Sequence, residues 1–450
     1  MSNKELFQEL STYMRRDDAE GVKRVLSTTP THLIAEALRY VEPEERIKTL
    51  DYAEAETASE VLLDLEPELR EEVLRQLDPD KIAAITGEMD SDDAADVIAE
   101  LPESIAKSVL EKLSPEEVMD VETLLRYPED TAGGIMQTEL INVTADSTVR
   151  DVIDWIRLIA DEVEDFYEIF VTDYDDKLLG VVTLKKLILA NHTNVISEIM
   201  DPPEATVTPE EDQEKVADIF DKYDIVVLPV VDEKGVLIGR ITADDVIDVI
   251  TEEASEDMLQ MAGVGEYTHP LYTPTIERLR SRIPWILMIL AVELVIAFII
   301  VRYFKTTLEK VAILAAFMPA IMATGGSVGN QTNTIVIRGL SVGTINIRQI
   351  FAVIMAEVKL ALLIGIIAAL VAAIAAAIIS YPQPQVLRLS FAIAFAMTSA
   401  MLATSIIGVL MPMILYKLHF DPAVSSNPII SMSNDLFGIV IYLLIATILF

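Results

Sequence analysis

The sequence contains no cysteine and few basic residues, and each shortage excludes a class of function. Without cysteine the chain forms neither disulfides nor thiolate metal sites, which fits a reducing cytoplasm. Its 34 bases stand against 72 acids, for a formal net charge of −38. A chain this negative repels nucleic acid and anionic lipid head groups and attracts divalent cations. We therefore expect no nucleic-acid partner.

Enzyme motifs are absent as well. We find no nucleophile–base pair, Walker loop or metal-hydrolase motif, so an enzyme is not expected. The polar N-terminus has a helical pattern and predicts no signal peptide.

Charge is scarce in residues 283–450, which hold five acids and eight bases, against 67 acids and 26 bases in residues 1–282. Five segments in this part are long enough to cross a bilayer, at about 20 residues each. The predicted spans are roughly 284–303, 311–336, 350–379, 387–415 and 428–449. Basic residues before the first span (Arg278, Arg280, Arg282) favour a cytoplasmic N-terminal part. The sequence thus predicts a multi-pass protein of the plasma or inner membrane with its C-terminus outside.

Residues 1–130 are patterned as helices and contain a repeat. Apolar residues recur every twelve positions, at Val41, Ala53, Leu65, Leu77, Met89, Leu101 and Leu113. Several are followed by proline and acids, which suit the first turn of a helix. Short helices stacked one per repeat predict an all-α superhelical domain. The acids at 92, 93 and 96 are denser than capping requires.

Residues 131–200 and 201–257 are two copies of one α/β unit. Residues 180–187 match residues 239–246, and residues 170–173 match residues 229–232, both at an offset of 59. The pattern resembles a tandem pair of cystathionine-β-synthase (CBS) domains. The resemblance implies a regulatory module that senses adenine nucleotides such as ATP, or metal ions. The family's ribose-binding pattern, Gly-x-x-Thr-x-x-Asp, matches Gly239, Thr242 and Asp245, whereas Lys186 replaces the aspartate in the first copy.

Acids crowd the second copy and the segment after it, at spacings of one, three and four residues. Like charges so placed destabilise a helix unless a cation or a partner lies among them. A solvated acidic face explains the same spacing, and the pattern alone does not decide between the two. The chain from about residue 246 to 282 is patterned as a helical connector to the membrane part.

Two polar stretches interrupt the membrane part. Residues 324–334 of the second span combine three glycines with amides and hydroxyls, which lipid would not tolerate, so we interpret Asn330, Gln331 and Asn333 as pore or interface lining. Asp435 lies about two turns into the last span, where a carboxylate is costly. Its neighbours carry oxygen rather than sulfur or imidazole, which suits hard cations. Asp435 either lines an ion path or hydrogen-bonds a neighbouring helix.

In this order, the parts resemble the MgtE family of bacterial magnesium channels over essentially the whole chain. The resemblance implies a homodimer in the lipid bilayer with one Mg²⁺-selective pore, gated by intracellular Mg²⁺. It implies metal ligands at Asp435, Asp92, Asp96, Asp212, Glu214, Asp224, Asp245, Asp248, Glu253, Glu256, Asp257 and Asp421. The implied pore-lining residues are Gly325, Gly326, Asn330 and Asn427.

The fold class expected is therefore multidomain. It comprises an all-α superhelical domain (1–130), a CBS pair (131–200 and 201–257), a connector helix (258–282) and five transmembrane helices (283–450). Two alternatives to a channel stay open. One is a carrier that couples divalent-cation transport to Na⁺ or H⁺, with Glu293 as a coupling acid. The other is a membrane-anchored nucleotide receptor, for which Asp435 has no use.

Overall fold

The computed structural model describes residues 3–16, 18–159, 166–265, 270, 273–381, 385–418, 420–422 and 427–450. It divides into two compact units, Met1–Glu253 and Ala254–Phe450.

The first unit begins with short helices whose starts repeat. They are α1 (Asn3–Arg15), α2 (Ala19–Leu26), α3 (Thr31–Leu38), α4 (Pro43–Tyr52), α5 (Ala55–Leu63), α6 (Pro67–Leu74), α7 (Pro79–Thr86), α8 (Ser91–Ala99), α9 (Glu103–Leu110) and α10 (Pro115–Leu124). From α4 to α10 each helix starts twelve residues after the one before it. The helices pack in two alternating rows: α3, α5, α7 and α9 follow one another in the first row, while α4 packs on α6 and α8 on α10 in the second. The predicted repeat is confirmed.

Local chemistry explains these starts. Four of the seven repeat helices have proline in their first turn, where its missing N–H is not needed. Ser114 and Glu117 form a capping box on α10, each bonded to the other's backbone N–H. The apolar residue two positions before each helix start is buried or half-buried, as at Leu65 and Leu77, and joins the core of the domain.

The two α/β copies follow. The first contains β1 (Asn142–Thr144), α11 (Val149–Ile159), β2 (Glu168–Thr172), β3 (Leu178–Thr183), α12 (Leu184–Leu189) and α13 (Ile196–Ile199). The second contains α14 (Gln213–Tyr223), β4 (Val227–Val231), β5 (Leu237–Thr242) and α15 (Ala243–Met261). β2 pairs with β1 in parallel and with β3 in antiparallel orientation, and β4 and β5 form an antiparallel pair. The strands β4 and β5 begin 59 residues after β2 and β3, which confirms the predicted offset.

The repetition extends to single hydrogen bonds. In the first hairpin Oδ1 of Asp173 accepts backbone N–H bonds from residues 175 and 177, and Asp232 does the same for residues 234 and 236. The copies also bond to each other reciprocally. Leu178 donates its N–H to the carbonyl of Gly235 at 3.0 Å, and Leu237 donates to Asp176 at 2.9 Å. The pair is therefore joined edge to edge by a pseudo-twofold relation.

The second unit consists of long helices. They are α16 (Thr275–Ile299), a π-helical segment (Ile300–Phe304), α17 (Lys305–Lys310), α18 (Leu314–Ser341), a short 3-10 turn (Ile347–Gln349), α19 (Ile350–Ile379), α20 (Val386–Lys417) and α21 (Asn427–Leu449). Among the described residues, four helical stretches are long and apolar enough to cross a membrane: Thr275–Lys310, Ile347–Ile379, Val386–Lys417 and Pro428–Leu449. The predicted second span is α18, whose 28 residues extend about 42 Å but carry the polar run.

The connector differs from the prediction. Helix α15 runs without a break to Met261, past the predicted domain boundary at residue 257, and α16 begins at Thr275. The described residues between them are not helical. One helix over 258–282 is therefore wrong. Pro274 immediately precedes α16, and Gly263, with φ of +74°, follows the end of α15. Both residues are typical helix boundaries.

Candidate cation sites

The first candidate site lies where α8 of the helical domain meets the second CBS copy. Asp92, in the first turn of α8, is only 6% exposed, and its Oδ1 accepts no hydrogen bond from the described residues. Asp245, at the start of α15, accepts bonds at Oδ2 from the hydroxyl of Thr242 at 2.6 Å and from its backbone N–H at 3.3 Å. The structure thus brings together two of the predicted ligands from distant parts of the sequence.

Burial and mutual repulsion weaken the acidity of this cluster. Burial, then the charges of Asp245 and Asp93, raises the pKa of Asp92 well above its usual value. Burial, followed by the charge of Asp245, raises the pKa of Asp93 to about 7. The pKa of Asp96 rises to about 6 because many protein atoms surround its carboxyl group and, second, because of the charge of Glu129, although the residue as a whole is exposed. Burial raises the pKa of Asp245 to about 6. At neutral pH the site therefore favours a counter-ion or a proton.

Arg70 supplies part of the compensating charge. Its Nε donates to both carboxylate oxygens of Glu100, at 3.0 and 3.1 Å. Its charge is a secondary influence that lowers the pKa values of Asp93 and Asp96 against the larger effect of burial. The cluster keeps a net negative charge.

A second, smaller acidic contact lies in the other unit. Burial, followed by the charge of Asp421, raises the pKa of Asp257 to about 6, and Arg338 opposes the shift. These are two of the predicted ligands, one at the end of α15 and the other between α20 and α21. Glu256, one residue earlier, instead accepts a bond at 2.6 Å from the Nε2 of Gln260.

The remaining predicted ligands of the first unit have local roles. Asp212 caps α14 through a bond from the N–H of Glu214 at 2.9 Å, and the Glu214 side chain is exposed. Asp224 ends α14 in the left-handed conformation, with φ of 52°, and is exposed. Glu253 accepts a bond from the Nε2 of Gln213 at 2.7 Å. Asp248 is also exposed.

No group of three or more His, Cys, Asp or Glu side chains converges as a metal site within the described part of the chain. We call the acids of the first site, Asp90, Asp92, Asp93, Asp96 and Asp245, the α8–α15 cluster. A divalent ion at this cluster would therefore be held by one or two carboxylates and by water. Mg²⁺ suits such a site, because it keeps most of its water shell in proteins.

The residues that match the ribose-binding pattern are in contact with other residues of the chain. Gly239 is buried, and a Cβ there would lie 2.7 Å from the sulfur of Met136, so the glycine permits close packing of the preceding segment. The hydroxyl of Thr242 donates a hydrogen bond to the carboxylate of Asp245. In the first copy Lys186 forms an ion pair with Asp201.

The second candidate site lies in the membrane part, where α18 meets α21. Asn434 is fully buried, and its Nδ2 donates to the carbonyl of Met322 at 2.6 Å and to Oδ1 of Asp435 at 3.1 Å. A Cβ on Gly325 would lie 2.1 Å from Oδ1 of Asn434, so a side chain at this position would force the amide to shift. Gly326 is buried beside it. Asp435 itself is half-buried and hydrogen-bonded to Glu293 of α16.

The polar run of α18 divides between different surroundings. Asn330 is half-buried and donates to the hydroxyl of Ser431 at 3.4 Å, whereas Asn333 is fully buried and Gln331 is exposed. The three therefore do not share one face, although Asn330 does reach α21. The side chain of Asn427 lies outside the described residues.

Sequence reasoning assigned no site role to Asp90 or Gln137, and it counted Asn434 only among the oxygen-bearing neighbours of Asp435. Asp90 belongs to the α8–α15 cluster and the buried Gln137 contacts it, and Asn434 rather than a glycine alone anchors the membrane site. Asp90 stands at the start of a repeat helix, where acids are expected in any case, and Gln137 belongs to no pattern in the sequence.

Three family profiles match the chain. One described as "MgtE: Divalent cation transporter" matches residues 318–445, and one described as "MgtE intracellular N domain" matches residues 29–130. The CBS domain profile matches residues 132–192 and 196–252.

Similar proteins agree with these profiles. "Magnesium transporter MgtE" of Thermus thermophilus is 33% identical over 339 residues, which cover 75% of this chain and 74% of that protein. "Magnesium transporter MgtE" of Enterococcus faecalis is 32% identical, over 74% of this chain and 72% of that one. The crystal structure of the cytosolic domain of the Mg²⁺ channel MgtE in complex with ATP is 34% identical, with a TM-score of 0.52, and covers 54% of this chain and 99% of its own.

A helical-repeat domain, a CBS pair and long apolar helices with a carboxylate site together define a multi-pass membrane transporter with large attached N-terminal domains. The family predicted from the sequence is confirmed. The chain belongs to the MgtE family of divalent cation transporters.

Proposed function

We propose that the protein is a Mg²⁺ channel that mediates magnesium uptake and is closed by intracellular Mg²⁺ bound to its acidic N-terminal domains. The observation that carries the conduction part is the Asn434–Asp435 pair. A carboxylate two turns inside a membrane helix is retained where it serves an ion path. Asn434 fixes that carboxylate against α18, beside Gly325, which leaves room for the amide.

Ion chemistry favours Mg²⁺ at this position. A pore selective for a strongly hydrated ion holds it through water, with one or two carboxylates supplying charge. Asp435 from each of two subunits would meet that need on a dimer axis. The family relatives named magnesium transporters support this choice of ion.

Closure follows from the α8–α15 cluster. Asp92, Asp93 and Asp245 repel one another in a partly buried place, so the docked arrangement of α8 and the second CBS copy is costly without a counter-ion. When internal Mg²⁺ is plentiful, it bridges these carboxylates and stabilises the docked, closed state. When Mg²⁺ is scarce, the domains separate and the path opens. This is a population shift by a ligand that prefers one state.

A homodimer in the lipid bilayer of the cell membrane fits the surface of the CBS pair. Ile188 and Ile247 occupy equivalent positions 59 residues apart, and their side chains are 74% and 63% exposed. Such paired apolar positions suit burial against a second copy. The N-terminal domains would lie in the cytoplasm and the C-terminus outside.

An adenine nucleotide is the second ligand that we propose for the CBS pair. The relative crystallised with ATP supports it. In this chain Thr242 and Asp245 are bonded to each other, so a nucleotide ribose would have to replace that bond.

Glu293 keeps one alternative open. Its carboxyl group is hydrogen-bonded to that of Asp435, as expected of a carrier that exchanges Mg²⁺ with H⁺ or Na⁺ through coupled acids. Flux driven by voltage alone, without an opposing ion gradient, separates a channel from that carrier.

The test is Mg²⁺ flux into proteoliposomes, with membrane potential and internal Mg²⁺ controlled. Asp435→Ala should abolish flux, while Glu309→Ala, which removes an exposed acid of the same unit, should conduct like the wild type. Wild-type flux in Asp435→Ala would exclude this residue as the pore carboxylate. Loss of flux in both variants would point to misfolding.

A further inference from the structure

A buried glutamine lies between the two acidic surfaces of the α8–α15 cluster. Gln137 belongs to the segment that joins the helical domain to the first CBS copy, and it is only 4% exposed. Its Nε2 stands 3.4 Å from Oδ2 of Asp90 and 3.4 Å from Oδ2 of Asp245. One carboxylate belongs to the helical domain and the other to the second CBS copy.

The backbone around Gln137 is firmly held. Its N–H donates to the carbonyl of Arg240 at 2.7 Å, and the N–H of Arg240 donates back at 2.9 Å. The next residue, Thr138, donates its N–H to the hydroxyl of Ser91 at 2.9 Å, and that hydroxyl donates to Glu139. The segment is thus hydrogen-bonded both to β5 and to the start of α8, and the Gln137 side chain is buried in this region.

A carboxamide has two N–H groups, so one Gln137 side chain can serve both acids at once. It places a neutral dipole where a cation would otherwise be required. Hydrogen bonds from an amide to charged acceptors are stronger than neutral ones, but they do not cancel a charge. The Oε1 of Gln137 and the Oδ1 of Asp92 are both buried, and neither has a hydrogen-bond partner among the described residues. The cluster thus holds two buried acceptors without donors, one on Gln137 and one on Asp92, and the water shell of a hydrated cation supplies donors of that kind.

We infer that Gln137 is a positioning residue that sets the Mg²⁺ concentration at which the protein closes. Its amide bridges Asp90 and Asp245 and lowers the repulsion that Mg²⁺ must overcome, and its unpartnered carbonyl oxygen offers a further acceptor for the water shell of the ion. This inference rests on the proposed gating function and adds a residue to it.

Three substitutions separate this role from packing. We define the closing midpoint as the cytoplasmic Mg²⁺ concentration at which the open probability falls to half. Gln137→Met keeps the length and the apolar contacts but removes both donors, so the closing midpoint should move to higher Mg²⁺. Gln137→Asn keeps the amide but shortens its reach, and it should act in the same direction. Gln137→Lys brings a permanent cation to the bridge and should move the midpoint to lower Mg²⁺, with a shallower dependence. We expect shifts of roughly threefold or more, because the methionine and asparagine variants lose hydrogen bonds to charged acceptors and the lysine variant adds a charge in a partly buried site.

If Gln137 served only to fill space, the three variants would show a different pattern. Methionine would then behave like the wild type, and a buried lysine would disrupt docking most. The controls are Gln76→Met and Gln76→Lys, at an exposed glutamine of the helical domain whose side chain donates to the backbone carbonyl of Glu72. Both controls should leave the midpoint within about twofold of the wild type, because exposed charges are screened.

The measurement is open probability against Mg²⁺ on the cytoplasmic side, for the full-length protein in liposome patches. The inference is supported if methionine and asparagine raise the midpoint and lysine lowers it. It is overturned if methionine and asparagine leave the midpoint unchanged, or if lysine raises it while the channel still conducts without Mg²⁺. If the wild type shows no closure by Mg²⁺, the proposed gating fails first and the inference with it.

Discussion

The contact between Gly325 and Asn434 allows a test of the membrane site with one methyl group. In Gly325→Ala the new Cβ would lie 2.1 Å from Oδ1 of Asn434, where a real contact needs more than 3 Å. Asn434 would have to retreat by about 1 Å. Its bonds to Met322 O at 2.6 Å and to Asp435 at 3.1 Å would then exceed or approach the limit of a hydrogen bond.

The free energy lost in Gly325→Ala follows from the two weakened hydrogen bonds of Asn434. A buried hydrogen bond to a charged group contributes about 1.5–3 kcal/mol, and about 1.4 kcal/mol is a factor of ten in occupancy. We therefore expect Gly325→Ala to lower Mg²⁺ conductance by roughly tenfold or more. The assay is flux in proteoliposomes at matched protein content, with dimer assembly checked separately.

The neighbouring glycine is a matched control. A Cβ on Gly326 would lie 3.4 Å from Nδ2 of Asn434, an ordinary van der Waals contact, so Gly326→Ala should conduct normally. In a double-mutant cycle, Asn434→Ala removes the clash together with the bonds, so adding Gly325→Ala should cost little more. Equal flux in Gly325→Ala and Gly326→Ala would refute the reasoning, and strictly additive losses would show that Asn434 does not transmit the effect.

Two further predictions concern the α8–α15 cluster. The pKa values of Asp93, Asp96 and Asp245 are raised to about 7, 6 and 6 in the docked state, so that state binds more protons, and its stability falls as pH rises from about 4 to about 7. In chelator, and with protease activity matched, the full-length protein should resist protease better at about pH 5.5 than at about pH 8. Mg²⁺ should protect it most at the higher pH. Equal lability at the two pH values would contradict the raised pKa values of this cluster. Asp92→Asn removes a buried charge at constant shape, so protease resistance in chelator should rise and depend less on Mg²⁺, whereas the exposed Asp248→Asn should change little. The idea fails if Asp92→Asn becomes more labile in chelator.

Much of the fold could be predicted because it repeats. The twelve-residue spacing predicted the helix starts, since proline and acids act locally on the first turn of each helix. The 59-residue offset predicted strands and turns in the same way. The connector was wrong because the helical pattern of residues 246–282 does not reveal where the chain turns, near Gly263 and Pro274.

The sites were only partly predictable, for a related reason. Asp92 and Asp245 are notable as excess acids in the sequence, but their juxtaposition depends on contacts between distant parts of the chain, such as those of Gln137, which no local pattern records. Asp212 and Asp224 matched the family pattern equally well, yet the first caps α14 and the second ends it. Gln137 and Asn434 are neutral residues whose importance comes from the acids that they touch.

The alternating rows of the helical domain restrict how its length can change. Since α3, α5, α7 and α9 stack in one row while their even-numbered neighbours pack in the other, inserting a single twelve-residue unit would move every later helix to the opposite row. The start of α8, with Asp92, would then face away from β5. An insertion of twenty-four residues would return each helix to its own side. In this domain, length can therefore be added only in pairs of repeats if the acidic cluster is to be kept.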